Sequence, residues 1–137
     1  MASRREQIIE ALRVKLATIP GITTYRSRLT AITRAEGPAI VLQPAEEQIT
    51  KRNNDLSERE LNVQVEVIAR GQTPDQAADA YAVSAQAKVM EDQTLGGLCL
   101  LLREQGTQWL MVESDLDAVV VSTRYTIHYR TAANTIN

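Results

Sequence analysis

From Ala118 to Thr131 the sequence reads AVVVSTRYTIHYRT, an alternation of period two that only an extended strand sustains. Val119, Val121, Thr123, Tyr125, Ile127 and Tyr129 fall on one face, and Val120, Ser122, Arg124, Thr126, His128 and Arg130 on the other. β-branched and aromatic residues fill the run, and neither Gly nor Pro interrupts it. One face is built for a core. The other mixes hydroxyls and cations and is suited to water or a partner. The rest of the chain must therefore supply neighbouring strands and an apolar cover for one side of them.

The same alternation recurs in Leu61–Arg70, with Leu61, Val63, Val65, Val67 and Ala69 facing one way and Gly71 closing the run. Ala39–Gln43 is a short apolar run bracketed by Pro38 and Pro44, prolines placed where they delimit a strand without breaking its ladder. Ile22–Arg26 and Trp109–Glu113 are shorter strand candidates, the second after a turn at Gly106. Cys99–Arg103 reads equally as a helical turn or a strand. Ala45–Ser57 is polar and without period, and residues 45–58 are expected to form a protruding loop or arm.

Two amphipathic segments supply the cover. Ser3-Arg4-Arg5-Glu6 has the spacing of a capping box, Ile8, Ile9, Leu12, Leu16 and Ile19 follow at helical spacing, and Pro20-Gly21 stops the helix. Thr73-Pro74-Asp75-Gln76 opens a second helix: an N-cap Thr, Pro at the first position, an early acid and Gln at the third. It is Ala-rich on its inner face, runs to about Asp92, and ends at Leu95-Gly96-Gly97-Leu98. The order is α-β-β-β-α-β-β, in a single domain over residues 1–137. The expected class is α+β: a mixed, mostly antiparallel sheet of about 4–6 strands with two helices packed on one face.

A chain of 137 residues can bury roughly two-thirds of its unfolded surface. With 4% aromatic residues and no Phe the core must be aliphatic. Apolar runs are too short to span a membrane, and MASRREQ has no apolar signal region. The one cysteine, Cys99, suits a reducing compartment, so folding in cytoplasm is expected. The net charge of −2 conceals a division along the chain: +5 over residues 1–34, −9 over 35–117 and +2 over the last twenty. Such separation is either scatter over a solvated surface or two complementary patches that meet in a head-to-tail assembly.

A search for chemistry returns little. His128 is the lone histidine, which excludes a multi-histidine metal site within the chain. Cys99 sits in LCLLL, a setting that makes a thiol inert. Glu113, Asp115 and Asp117 alternate in ESDLD but lack the glycine and distal acid of a calcium loop, and a solvated turn is the simpler reading. No phosphate loop, dinucleotide fingerprint or nucleophile elbow is present. Arg26, Arg28 and Arg34, with Lys51 and Arg52, form a candidate anion-facing set. Without interleaved aromatics, a salt-bridged protein interface or plain solvent exposure is favoured over nucleic-acid recognition. No catalytic, cofactor or metal residues are assigned.

Several patches, taken together, resemble the phage tail terminator family, the lambda gene U product-like minor tail proteins of phages and prophages. They are IPGITT after the first helix, PAIVLQP, LNVQVEVIARG, MEDQTLGGL and the terminal YTIHYRT. Thr94-Leu95-Gly96-Gly97 and Tyr129-Arg130-Thr131 weigh most, and the match is weakest over 45–57 and 103–117. The resemblance implies a small α+β subunit forming a hexameric ring that caps the tail tube, stops its polymerisation and offers a surface for head joining. Its implied partners are further copies of itself, the tail tube protein and head–tail connector proteins. DNA would pass through the lumen without sequence-specific binding, and no membrane or cofactor would take part. The expected location is host cytoplasm during assembly and then the virion tail. Candidate interface residues are Arg26, Arg28, Arg34, Glu46, Glu47, Lys51, Arg52, Arg124, His128 and Arg130. Alternatives are another neck, tail-completion or baseplate-side protein, and a small-molecule-binding α+β regulatory domain.

Overall fold

The computed structural model describes residues 2–28, 32–112 and 115–137, with Arg34, Val112, Asp115 and Leu116 described by backbone alone. Helix α1 (Arg4–Leu16) starts where the capping box places it, with the Ser3 hydroxyl accepting from the Glu6 amide at 3.2 Å. The reciprocal half of the box is missing, because the Glu6 carboxylate turns outward to Arg26. Ile8, Ile9, Leu12 and Leu16 form the buried stripe. Helix α2 (Pro74–Met90) begins with Pro74 as expected, but the Thr73 side chain makes no capping bond. It ends short of Asp92. The Asp92 carboxylate instead accepts from the amides of Thr94 and Gly96 at 3.0 and 2.9 Å, holding the left-handed run at Leu95, Gly96 and Gly97.

Five strands form one sheet in the order β1-β2-β3-β5-β4: β1 (Thr23–Arg26), β2 (Ala39–Arg52), β3 (Leu56–Arg70), β4 (Leu101–Val112) and β5 (Asp115–Ala132). β1 pairs with β2 in parallel, and every other pairing is antiparallel. The fold is thus α+β in the order α-β-β-β-α-β-β. The alternating faces meet in register: Leu61 opposes Ile127, Val63 opposes Tyr125, Val67 opposes Val121 and Ala69 opposes Val119. These side chains join Ile40, Leu42 and the inner stripes of both helices in the main core. Burying each large aliphatic side chain contributes roughly 1.5–3 kcal/mol.

A second, smaller cluster lies on the helix-free face. Ile32 covers Ala39 and Val41, with Tyr25 and Ile68 beside them. Arg70 fixes that cover, donating to the Ile32 and Thr33 carbonyls at 2.6 and 3.3 Å.

Three expectations are corrected and one open alternative is settled. Residues 45–52 are not a loop; they continue β2 and pair with β3, and 53–55 make the turn. Both faces are polar there, so no alternation marks a strand whose backbone bonds are nonetheless met by its neighbour. Gly106 is not a turn but lies inside β4, at a register shift between Glu104 and Gly106. The ambiguous Cys99–Arg103 stretch resolves as a buried Cys99 leading into a strand that starts at Leu101. Asp115 and Asp117, expected in a solvated turn, lie instead in the first residues of β5, and Glu113 and Ser114 lie outside the described residues.

Candidate functional site

Two of the charges nominated near β1, Arg26 and Arg28, are engaged within the chain. Arg26 grips Glu6 with both terminal nitrogens, at 2.5 and 2.5 Å, and lies 3.8 Å from Glu10. Its hydrogen bonds hold the Glu6 carboxyl below the usual carboxylate range. Arg28 donates to Glu36 and lies over the Tyr25 ring, 4.6 Å from its centroid. Glu36 also accepts from the Thr33 amide at 3.0 Å. The Arg28 hydrogen bonds, then the Thr33 amide, hold its pKa down to about 2. Arg34 opens the short 3₁₀ turn Arg34–Glu36.

On the distal half of β2 the nominated residues part company. Glu46 lies on the helix-free side and accepts from the Asn62 side chain at 3.4 Å. Glu47 points the other way and is almost enclosed, its side chain 9% exposed. It accepts from the Tyr129 hydroxyl and from Arg59 at 3.1 Å, with Arg5 at 3.5 Å. Arg59 also donates to the Thr131 hydroxyl at 3.0 Å. Burial and this acidic neighbour push the Tyr129 hydroxyl well above its ordinary value. The network joins α1, β2, β3 and β5, and Arg59 escaped the sequence reading. Its position on the core-facing parity of Leu61 and Val63 was the available signal, since a charge there demands a partner.

Lys51 and Arg52 stand exposed near the hairpin tip. Lys51 and Arg130 share a cup of about 270 Å³ with Glu58, and Arg130 pairs with that acid at 2.7 Å. His128 lies farther along the helix-free face, half-buried in register with Glu60 and Leu101. Arg124 is exposed opposite Gln64 and Gly106. It lines a separate polar cup of about 270 Å³ with Gln64, Gln108 and Ser122. The ten nominated residues therefore occupy at least three places rather than one.

Cys99 is buried, and desolvation, then the nearby Asp92 charge, push its thiol up to about 11. Among the described residues no group of three or more His, Cys, Asp or Glu is placed to hold a metal ion. No helix among the described residues is long and apolar enough to cross a membrane.

One surface feature missed by the sequence reading is apolar. On edge strand β4, Trp109, Leu110 and Met111 are 61%, 52% and 60% exposed. Each is unremarkable singly, but three in succession on an edge strand form a patch.

The sequence matches no family model and no curated protein sequence. Among solved structures, a chain from the "Virion of native gene transfer agent (GTA) particle" is similar over 94% of this chain and 92% of its own, with 12% identity and a TM-score of 0.47.

Proposed function

We propose that this chain is a structural component of a phage-type virion. In the finer form of this reading it is a tail terminator: a ring of identical subunits that caps the tail tube, stops its growth and receives the head. It would assemble in host cytoplasm and remain in the virion tail. The observation that carries the reading is the set of sequence patches resembling tail terminators, which fall in core strands and at the two helix exits. IPGITT is the exit from α1, PAIVLQP the start of β2, and LNVQVEVIARG the core half of β3. MEDQTLGGL is the exit from α2 and YTIHYRT the end of β5.

Support for self-assembly comes from surface physics. A sheet with helices on one face and an apolar edge strand has surface that a neighbour would cover. Among the described residues, the polar groups are dispersed rather than gathered in one cleft. The test is an assembly assay in which purified protein is added in excess to growing tail tubes. Arrest at native length is expected, and tubes that keep elongating would refute the terminator role. Labelled subunits located by electron microscopy at the neck or baseplate would instead support another tail component.

A further inference from the structure

Monomeric proteins blunt the edges of their sheets with Lys, Pro, inward charges or a covering element. Among the described residues, β4 has no charge, proline or covering strand over Gln105–Val112, and its only blunting features there are the register shifts at Glu104/Gly106 and Met111/Val112. Successive strand residues point to opposite faces, so Leu110 projects from one side of the sheet and Trp109 and Met111 from the other. A helix or small molecule laid on either face would reach only part of this patch. A strand added to the edge places neighbours beside all three side chains, and its backbone completes the unpaired ladder.

The opposite rim of the sheet is stepped. β1 covers β2 only from Ala39 to Leu42. From Ala45 to Arg52, β2 has β3 on one side and, among the described residues, no strand on the other. This free stretch carries Ile49, 40% exposed, among charged side chains that include Glu46, Glu47, Lys51 and Arg52, and register shifts fall at Pro44/Glu46 and Ile49/Lys51. β2, β3, β5 and β4 alternate in direction, so β2 and β4 run opposite ways. A second copy, rotated about an axis along the strands, would therefore present its β2 antiparallel to β4, and the alternation would continue from copy to copy.

We propose that the outer edge of β4 pairs with the free 45–52 stretch of β2 in a second copy, joining the two sheets into one. A two-fold pairing of β4 with itself would leave both stepped rims open, and a two-fold pairing of β2 would leave Trp109, Leu110 and Met111 in water. Head-to-tail pairing covers both rims, and such a contact closes into a ring when its rotation does. The inference rests on the ring reading for closure alone.

The test uses the full chain and two rim variants. Leu110→Lys/Met111→Lys places charges on the β4 edge, and Ile49→Lys/Thr50→Lys places them on the β2 rim; circular dichroism checks that both fold. By sedimentation velocity the wild type should form oligomers and each variant alone should be monomeric. Each variant keeps one intact rim, so a mixture should give a 1:1 dimer that grows no further. A β2-rim variant that still dimerises alone would overturn the proposal in favour of two-fold β4 pairing, and a β4-rim variant that does so would favour two-fold β2 pairing. A wild type that stays monomeric at every concentration would overturn it outright.

A readout without variants is the emission of Trp109, the sole tryptophan, which should shift to the blue as wild-type concentration rises. An unshifted spectrum over the range where oligomers form would place β4 outside the interface. Failure of edge pairing with tail growth still arrested would sink this inference alone. Intact pairing without arrest would sink only the terminator role.

Discussion

Two arginines on neighbouring strands illustrate how side-chain parity decides what a charge does. Arg59 faces the helices and serves Glu47 and Thr131 in a nearly closed space; Arg124 faces away and stands in water. Arg59→Ala would leave Glu47 short of a charged donor where water cannot fully replace it, a loss of about 2 kcal/mol. Arg124→Ala should change stability by no more than about 0.5 kcal/mol. Urea midpoints of the two variants check both, and equal midpoints would contradict the assigned network. Glu36 makes the matching pH statement. Its pKa is lowered to about 2, first by the Arg28 hydrogen bonds. Its contribution is therefore complete above its ordinary value of 4.5 and is lost as pH falls through about 2. Carboxyl NMR of Glu36 should titrate in that low range in wild type and higher in Arg28→Ala, still below the ordinary value because the Thr33 bonds remain. Cys99, buried and with its thiol raised to about 11, should react with a thiol reagent at pH 8 only as fast as the native state opens. Prompt labelling of folded protein would contradict its burial.

At the scale of elements, legibility followed apolar contrast. β5 and the inner half of β3 were readable because Val119, Tyr125, Leu61 and Val65 alternate against polar residues, and that contrast is the physical signature of a sheet covered on one side. α1 was readable from its cap and stripe. The distal half of β2 was not: Ala45–Arg52 is polar on both faces, so the only cause of its extension is ladder pairing with β3, which sequence does not display. Gly106 misled in the opposite sense, since glycine inside an edge strand marks a register shift as readily as a turn. The candidate interface residues were legible as charges but not as neighbours, because Arg26, Arg28 and Arg130 each find an acid that is remote or unremarkable in sequence. The β2–β3 hairpin makes a prediction of its own. Asn53 accepts from the amides of Asp55 and Leu56 at 2.8 and 2.7 Å, the local bond pattern that favours Asn at turns. Asn53→Ala should cost about 1 kcal/mol and raise amide exchange first at the 53–56 turn. Uniform loss of protection across the sheet would mean that the turn is not an independent element.

Over the whole molecule, the charge division along the chain does not survive folding as a division in space. Arg28–Glu36, Arg5–Glu47 and Lys15–Glu91 bring the basic first segment against the acidic middle within one chain, and Arg130–Glu58 does the same for the last segment. A head-to-tail assembly held by two opposite patches would draw on charges that the monomer already neutralises. The proposed edge pairing draws instead on the uncharged 105–112 stretch of β4, where Trp109, Leu110 and Met111 are exposed. These two drives respond oppositely to salt. The Debye length falls from about 10 Å at 0.1 M to about 3 Å at 1 M, which dissolves contacts between exposed charges. Strongly excluded salts such as sulfate strengthen apolar burial. Self-association of the wild type should therefore persist in 1 M sodium chloride and tighten in sodium sulfate, as read by sedimentation at fixed protein concentration. Dissociation in sodium chloride would return the interface to the charged residues and move it off β4, because an uncharged strand edge has no counterpart for salt to screen.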